Sequence, residues 1–166
     1  MVEGCGGRIG TRRRRGVGVR VLIVEDGYEY SETMGRYLGI DVELGRAGDG
    51  LDALKMLSAS PWDAVFMDMR FDRSERLLGD DEAMRERFGN DTSRLRRFLE
   101  RHQGAYIADA IRAAGHQTPI LFSYDFGRES TRWAHLVGRL GRVAYIHDTA
   151  GPADVRFALT ELCDEQ

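Results

Sequence analysis

Two short apolar runs that each end in acidic side chains constrain this chain more than any other feature. The first run, VLIVED, covers residues 21–26, and the second, DAVFMD, covers residues 63–68. Apolar runs of this length are typical of strands that are buried on both faces of a parallel sheet. Because the carboxyl ends of neighbouring parallel strands meet at one edge, we expect Glu25, Asp26 and Asp68 to lie close together. Crowded carboxylates repel one another, which a divalent cation or a raised pKa relieves.

The rest of the chain continues an alternation of strands and helices. The apolar pattern predicts strands at residues 19–25, 42–47, 63–68, 119–124 and 142–148 and helices at residues 28–39, 50–60, 128–141 and 152–163. This order predicts an α/β fold with a parallel sheet, right-handed crossovers and helices on both faces. In the first two helices we expect the inward positions to be Tyr30, Met34, Tyr37 and Leu38, then Leu51, Leu54 and Leu57.

An insertion, residues 69–103, interrupts this alternation. It holds about 35 residues where a compact α/β connection uses about 2 to 6. Apolar residues at helical spacing, with Asp91 or Thr92 as the cap, predict a third helix that is lengthened at its amino end and preceded by a charged excursion. Gly104 would mark a kink in that helix or the join between its two parts.

The sequence allows two interpretations of the insertion. It is either a solvent-exposed addition without a binding role, or a lid or partner-docking element. Leu77, Leu78 and Phe88 are apolar residues in an otherwise charged stretch. They are candidate anchors for a partner, or they fold back onto the third helix.

Composition indicates one domain. A chain of 166 residues with 42% hydrophobic content can bury one core, and its glycine- and arginine-rich residues 1–17 are expected to form a disordered tail before a domain at residues 18–166. The formal charge of -3 gives no argument for nucleic acid or a membrane as partner, and no stretch is apolar enough to span a bilayer. Cys5 and Cys163 are the only cysteines, so we expect no structural disulfide and a cytoplasmic location.

From about Val19 to Cys163 the chain resembles the receiver domains of bacterial two-component response regulators. The stretches VLIVEDG, GRAGDGLDALKML, WDAVFMDM and PILFSYD carry the resemblance. It implies a flavodoxin-like, doubly wound, five-stranded parallel sheet with strand order 2-1-3-4-5 and an insertion between strand 3 and helix 3. It also implies a signalling role rather than an enzymatic one.

The resemblance assigns a role to each of several residues. Asp68 is implied as the phosphoacceptor, Ser123 as the hydroxyl that bonds the phosphoryl oxygen, and Tyr145 as the aromatic residue that turns inward when that hydroxyl moves. A carboxylate can attack a phosphohistidine only if a cation offsets the repulsion between the two anions. The implied cofactor is Mg²⁺, held by Glu25, Asp26, Asp68 and the backbone carbonyl of Arg70.

The chain departs from this family at the end of the fifth strand. Receivers of the ordinary kind carry a lysine there, whereas this chain has Asp148 and Thr149, and its only lysine, Lys55, lies on the second helix. At about 4 Å and an effective dielectric constant of about 20, the repulsion between Asp148 and a phosphoryl group is on the order of 4 kcal/mol. Strand alternation points His147 away from the face that Asp148 uses, so His147 does not replace the lysine.

Three functions follow from these observations. The first is a stand-alone atypical receiver in a phosphorelay, which takes its phosphoryl group from a sensor histidine kinase or a phosphotransfer protein and acts on a downstream protein target. The second is a pseudo-receiver that docks proteins without phosphorylation. The third is a phosphatase of the haloacid dehalogenase type, which would need an aspartate where the chain has Arg70. We expect no enzymatic activity and no nucleic-acid partner, and we leave open a homodimer.

Overall fold

A five-stranded parallel sheet forms the centre of the protein. The computed structural model describes residues 18–164. The strands are β1 (Val19–Val24), β2 (Val42–Ala47), β3 (Ala64–Asp68), β4 (Ile120–Ser123) and β5 (Val143–Ile146), in the order β2-β1-β3-β4-β5. This confirms the predicted flavodoxin-like fold and strand order. The predicted tail at residues 1–17 lies outside the described residues.

Helices cover both faces of the sheet, as the alternation predicted. The helices are α1 (Glu29–Tyr37), α2 (Gly50–Ala59), α3 (Glu82–Arg87), α4 (Thr92–Ala113), α5 (Ser130–Leu140) and α6 (Pro152–Asp164). Side chains of α1 and α6 pack on one face, and side chains of α2, α4 and α5 pack on the other. None of the helices within residues 18–164 is long and apolar enough to cross a bilayer.

The sheet is buried on both faces, which is why its strands read as continuous apolar runs. In β1, Val21 and Ile23 belong to the core under α1 and α6, whereas Leu22 and Val24 belong to the core under α2, α4 and α5. All four side chains are fully buried. Burying an aliphatic side chain of this size contributes about 1.5–3 kcal/mol, so both cores depend on this one strand.

Two of the predicted inward positions are wrong. Tyr37 on α1 is 66% exposed and Leu51 on α2 is 48% exposed. In each case a neighbour in sequence takes the inward position, since Leu38 and Gly50 are buried. Consecutive helical residues point about 100° apart, so at the edge of the buried face one member of such a pair points towards solvent.

The amino end of the lengthened helix is capped as predicted. The Asp91 carboxylate accepts a hydrogen bond from the Arg94 backbone N–H at 2.9 Å, and α4 then runs for 22 residues without a break. Gly104 therefore joins no separate helices. Its backbone N–H donates to the carbonyl of Met69 at 3.1 Å, and the Phe71 N–H donates to the carbonyl of Glu100 at 2.8 Å. The chain that leaves β3 thus lies directly against the backbone of α4.

The apolar residues of the insertion fold back onto the domain. Leu77 and Leu78 pack against the core under α2, α4 and α5, and the Phe88 ring lies 5.0 Å from the Phe98 ring. The buried Gln103 side chain accepts from the Leu78 N–H at 2.6 Å and donates to the Leu78 carbonyl at 3.1 Å. The insertion is therefore held to α4 by apolar packing and by two hydrogen bonds between the Gln103 side-chain amide and the backbone of Leu78.

Replacing Gly104 by alanine should destabilise the protein, although alanine is the better helix former. A Cβ at this position would lie 2.3 Å from the carbonyl oxygen of Asp68 and 2.9 Å from the Cα of Met69. We expect a loss on the order of 2 kcal/mol in the free energy of unfolding, measured by urea denaturation. The control is Gly138→Ala on α5, where a Cβ meets no atom within 4 Å. That variant should gain about 0.5–1 kcal/mol. Equal effects of the two substitutions would contradict the close approach at Gly104.

Candidate functional site

The predicted acidic edge exists at the carboxyl ends of the central strands. Asp68 is the last residue of β3 and is paired in register with Ser123, the last residue of β4. Glu25 and Asp26 directly follow β1, the other neighbour of β3. An open cleft lies at this edge, which we call the acidic cleft; its lining is Asp26, Glu29, Tyr30, Asp68, Met69, Arg70, Asp72, Arg73, Ser123, Tyr124 and Asp148.

Asp68 is an acid of the cleft with a strongly raised pKa. Burial is the main cause of the rise from 3.8 to about 6, and the charges of Asp26 and Glu25 contribute to it, against the hydrogen bonds from the backbone N–H groups of Arg70 and Met69. The Arg70 N–H lies 3.3 Å from the Asp68 carboxylate. A carboxylate held this way lacks a compensating positive charge, and a cation in the cleft would supply one.

Asp26 is held by the first residues of the insertion. Its carboxylate accepts the backbone N–H of Arg73 at 2.6 Å, and the Arg73 guanidinium pairs with Glu29 at 2.7 Å. The hydrogen bond from Arg73 lowers the pKa of Glu29 to about 2. Arg73 therefore joins the loop after β1 to the loop after β3, and it was not predicted, because nothing in the sequence paired this arginine with Asp26 or Glu29.

Glu25 lies at the predicted edge, but its carboxylate is turned away from the cleft. The side chain is only 1% exposed, and its two oxygens accept the backbone N–H groups of Tyr30 at 2.9 Å and Ser31 at 2.8 Å. It therefore satisfies the first turn of α1. Among residues 18–164, no three acidic, histidine or cysteine side chains are grouped as a metal site. The structure thus brings Asp26 and Asp68 together in the cleft and leaves Glu25 behind them.

Ser123 is buried and bonded to a tyrosine. Only 3% of Ser123 is exposed, and its hydroxyl donates to the phenol oxygen of Tyr30 at 2.9 Å. The Tyr30 ring lies 5.0 Å from that of Phe66. Burial raises the pKa of the Tyr30 phenol, while the Ser123 hydrogen bond opposes that shift. The helical pattern predicted Tyr30 only as a core residue, although its position four residues after Asp26, at the start of α1, could have indicated a residue near the site.

Asp148 lines the acidic cleft with Asp68 and Ser123. It follows β5 by two residues, and its carboxylate pairs with His147 at 3.0 Å. His147 also lies 3.5 Å from Asp125 and is not part of the lining of the cleft. Lys55 is exposed on α2, as the sequence predicted. Within residues 18–164, the only cationic side chains that line the cleft are Arg70 and Arg73.

Tyr145 lies outside the cleft, on the exposed side of β5. Its side chain is 38% exposed, and its ring packs against Trp133 at 4.8 Å and against Phe126 at 5.4 Å. The ring is therefore part of an aromatic cluster between β5 and α5, and it does not contact Ser123 in this structure.

Several solved structures with a similar fold are receiver domains. The receiver domain of NtrX from Brucella abortus aligns with a TM-score of 0.61 at 16% identity, over 88% of this chain and 99% of that one. The chemotaxis response regulator CheY4 of Vibrio cholerae aligns with a TM-score of 0.59 at 17% identity, over 88% and 99%. The receiver domain of the sensor histidine kinase PA1611 from Pseudomonas aeruginosa, solved with a magnesium ion in its active site cleft, aligns with a TM-score of 0.58 at 20% identity, over 89% and 98%.

This chain therefore has the receiver fold along nearly all of its described length. No protein-family model matches the sequence, and no curated protein matches it either.

Replacing Asp68 by asparagine should stabilise the protein at neutral pH. Since the pKa of Asp68 is about 6 in the folded state and its ordinary value is 3.8, the folded protein binds this proton more tightly than the unfolded chain. Asp68 therefore lowers stability as the pH rises from about 4 to about 6. We expect a gain on the order of 2–3 kcal/mol for Asp68→Asn at about pH 7.5, shrinking towards zero near pH 4.

Urea denaturation at several pH values measures this difference. Asp41→Asn is the control, because Asp41 lies at the opposite end of the sheet, before β2. A variant whose stability follows the pH dependence of the parent would show that Asp68 is not the acid that titrates.

Proposed function

We propose that this chain is a signalling domain in which Asp68 accepts a phosphoryl group from the phosphohistidine of a sensor kinase or a phosphotransfer protein. The observation that carries the proposal is the pair of Asp68 and Ser123, in register at the floor of an open cleft that also contains Asp26. The receiver fold supports it. We expect the output to pass through protein contacts in the cytoplasm, without enzymatic turnover of a small substrate.

The reaction needs Asp68 as an ionised nucleophile. A carboxylate oxygen forms the new bond to phosphorus, the bond from phosphorus to the histidine nitrogen breaks, and that nitrogen keeps the electron pair and takes a proton from solvent. The pKa of about 6 at Asp68 leaves most molecules ionised at neutral pH. The cost of the reaction lies in bringing an anionic phosphoryl group to a carboxylate that already has acidic neighbours.

Mg²⁺ fits the oxygens of the cleft. The carboxylates of Asp26 and Asp68, with the backbone carbonyl of Arg70, are hard ligands of the kind that magnesium prefers. The raised pKa of Asp68 is partly due to Asp26 and Glu25, so a divalent cation would relieve repulsion that exists already. Bound metal would neutralise charge on the transferred phosphoryl group. Glu25 would act through its charge from behind Asp26, because its oxygens are bonded to α1.

Asp148 supports the alternative function, a pseudo-receiver that docks proteins without phosphorylation. It adds a carboxylate to the lining of the cleft at the place where the resemblance implies a lysine. The cations that line the cleft, Arg70 and Arg73, come from the insertion instead, and Arg73 is already paired with Glu29. The phosphatase alternative has weaker support, since Arg70 stands where that chemistry needs a second aspartate.

The insertion is our candidate surface for the downstream partner. Its inward leucines are used for packing, so the docking face would be the exposed side of α4. Arg94, Arg97 and Arg101 lie on this side, and none has a carboxylate within 4.0 Å in the part of the chain that the structure describes. An arginine stripe of this kind suits a polar, reversible contact with an acidic protein segment. A homodimer stays an open alternative.

Beryllofluoride tests the proposed function directly. Amide NMR spectra are recorded with Mg²⁺ alone and again after beryllofluoride is added. The amide chemical shifts of Asp68 and Ser123 should change between the two spectra, and that of Tyr145 should change as well if its ring moves. Asp68→Asn is the control, since it keeps the shape of the side chain and removes the nucleophile. Spectra of the parent that do not change would favour the pseudo-receiver.

Replacing Asp148 by lysine should improve phosphorylation by a small phosphodonor and weaken Mg²⁺ binding. The change removes one negative charge from the cleft and adds one positive charge, which favours the incoming anion and opposes the cation. We expect the rate of phosphorylation to rise by about tenfold, which corresponds to about 1.4 kcal/mol in the barrier. Asp125→Lys is the matched control, because Asp125 also pairs with His147 but does not line the cleft. Equal rates in the two variants would show that Asp148 does not act on the phosphoryl group.

A further inference from the structure

The insertion places a positive charge of its own over the acidic cleft. The guanidinium of Arg73 pairs with the carboxylate of Glu29 at 2.7 Å, and both side chains line the cleft. The backbone N–H of the same arginine donates to the carboxylate of Asp26 at 2.6 Å. One residue of the insertion therefore engages two acidic side chains that follow β1.

Residues on both sides of Arg73 fix its backbone at this position. Phe71 is fully buried, and its backbone N–H donates to the carbonyl of Glu100 at 2.8 Å. Ser74 is buried as well, and its carbonyl accepts a hydrogen bond from the Arg96 guanidinium at 3.0 Å. The guanidinium of Arg73 can therefore leave its carboxylate partner while the backbone of the loop stays in place.

The Arg73–Glu29 pair lies against Gly27, beside Asp26. A Cβ added to Gly27 would overlap the Glu29 carboxylate and would lie 2.5 Å from a nitrogen of the Arg73 guanidinium. The two paired side chains are 60% and 63% exposed, and an exposed ion pair contributes little to stability. A ligand of the cleft can therefore displace the pair at small cost to the fold.

We propose that the Arg73–Glu29 pair is an autoinhibitory contact that competes with a divalent cation for the acidic cleft. This inference rests on the metal site of the proposed function. The guanidinium neutralises part of the negative charge of the cleft and occupies one of its carboxylates. A bound Mg²⁺ would meet a like charge and would lose the attraction of a free carboxylate. Displacing the guanidinium therefore raises the affinity of the cleft for Mg²⁺.

The competition acts in both directions, because coupling between two binding events is reciprocal. Mg²⁺ in the cleft favours the release of the Arg73 guanidinium, which is then available to an acidic group of a partner. A partner that binds this guanidinium favours the metal in turn. The contact thus gives the insertion a regulatory role at the proposed metal site.

The test measures Mg²⁺ affinity by calorimetry in the full chain and in variants of the pair. Arg73→Ala should bind Mg²⁺ roughly fivefold more tightly than the parent at low ionic strength, because a positive charge is lost and Glu29 is released. Glu29→Gln should bind it more weakly, because a negative charge is lost and the guanidinium remains. If the pair only held the loop in shape, both variants would bind Mg²⁺ more weakly, since each breaks the same pair.

Two further variants separate displacement of the pair from a general change of charge. Gly27→Ala leaves every charge in place but pushes the pair aside, and it should bind Mg²⁺ roughly twofold more tightly. Arg76→Ala is the matched control, because Arg76 is an exposed, paired arginine of the same insertion that does not line the cleft. It should bind Mg²⁺ as the parent does. Thermal unfolding of each variant verifies that it is folded.

The outcomes distinguish this inference from the proposed function. A parent chain that binds no Mg²⁺ would overturn the proposed metal site and this inference with it. A parent that binds Mg²⁺ no more weakly than Arg73→Ala and Gly27→Ala would overturn the inference alone. A parent that binds Mg²⁺ more weakly than both variants, but accepts no phosphoryl group, would overturn the proposed transfer to Asp68 and support the autoinhibitory contact.

Discussion

The parallel pairing of β3 with β1 on one side and β4 on the other determines the position of every group in the acidic cleft. Because β3 is central and buried on both faces, its register cannot slip without moving apolar side chains from one core to the other. That register places Asp68 beside Ser123 and brings the residues after β1 to the same edge. The cost of holding Asp68 at the end of a buried strand is visible in its pKa of about 6. The sheet therefore raises the affinity of Asp68 for a proton, and the same repulsion would favour a bound cation.

The periodicity of the chain was sufficient to predict the five strands and every helix except the short α3, because strand burial and helix capping depend on local geometry. Asp91 is an example: its short acidic side chain before a helical pattern predicted the cap that the structure contains. The orientation of each acidic side chain depends instead on which hydrogen-bond donors folding brings within its reach. Glu25 bonds to the first turn of α1 instead of facing the cleft, and no spacing in the sequence indicates this. Tyr30 and Arg73 were missed for the same reason, since each acts through a partner that is distant in sequence.

Arginines supply nearly all of the basic charge of this domain, and several of them join segments that the sheet does not hold together. Arg73 and Arg76 link the insertion to Glu29 and to the start of α2, where Asp49 and Asp52 accept from Arg76. These guanidinium groups are exposed, so each pair contributes little to stability by itself. Their effect is to hold the loop after Asp68 over the cleft in one arrangement. The Arg73–Glu29 pair lines the cleft. A phosphoryl group there would compete with Glu29 for the guanidinium, and a metal would compete with Arg73 for the carboxylate, so either would act on the insertion.

The contact between the loop after β3 and the middle of α4 has a mechanical consequence. Met69 and Phe71 are hydrogen-bonded to the backbone of α4 at Gly104 and Glu100, so a displacement of this loop would be passed to the middle of the helix. The amino end of α4 lies 12 residues before Gly104, a distance of about 18 Å along a regular helix. A small rotation at the bonded point becomes a larger displacement at that distant end. A shift of the backbone beside Asp68 would thus be passed along α4 to the surface of the insertion.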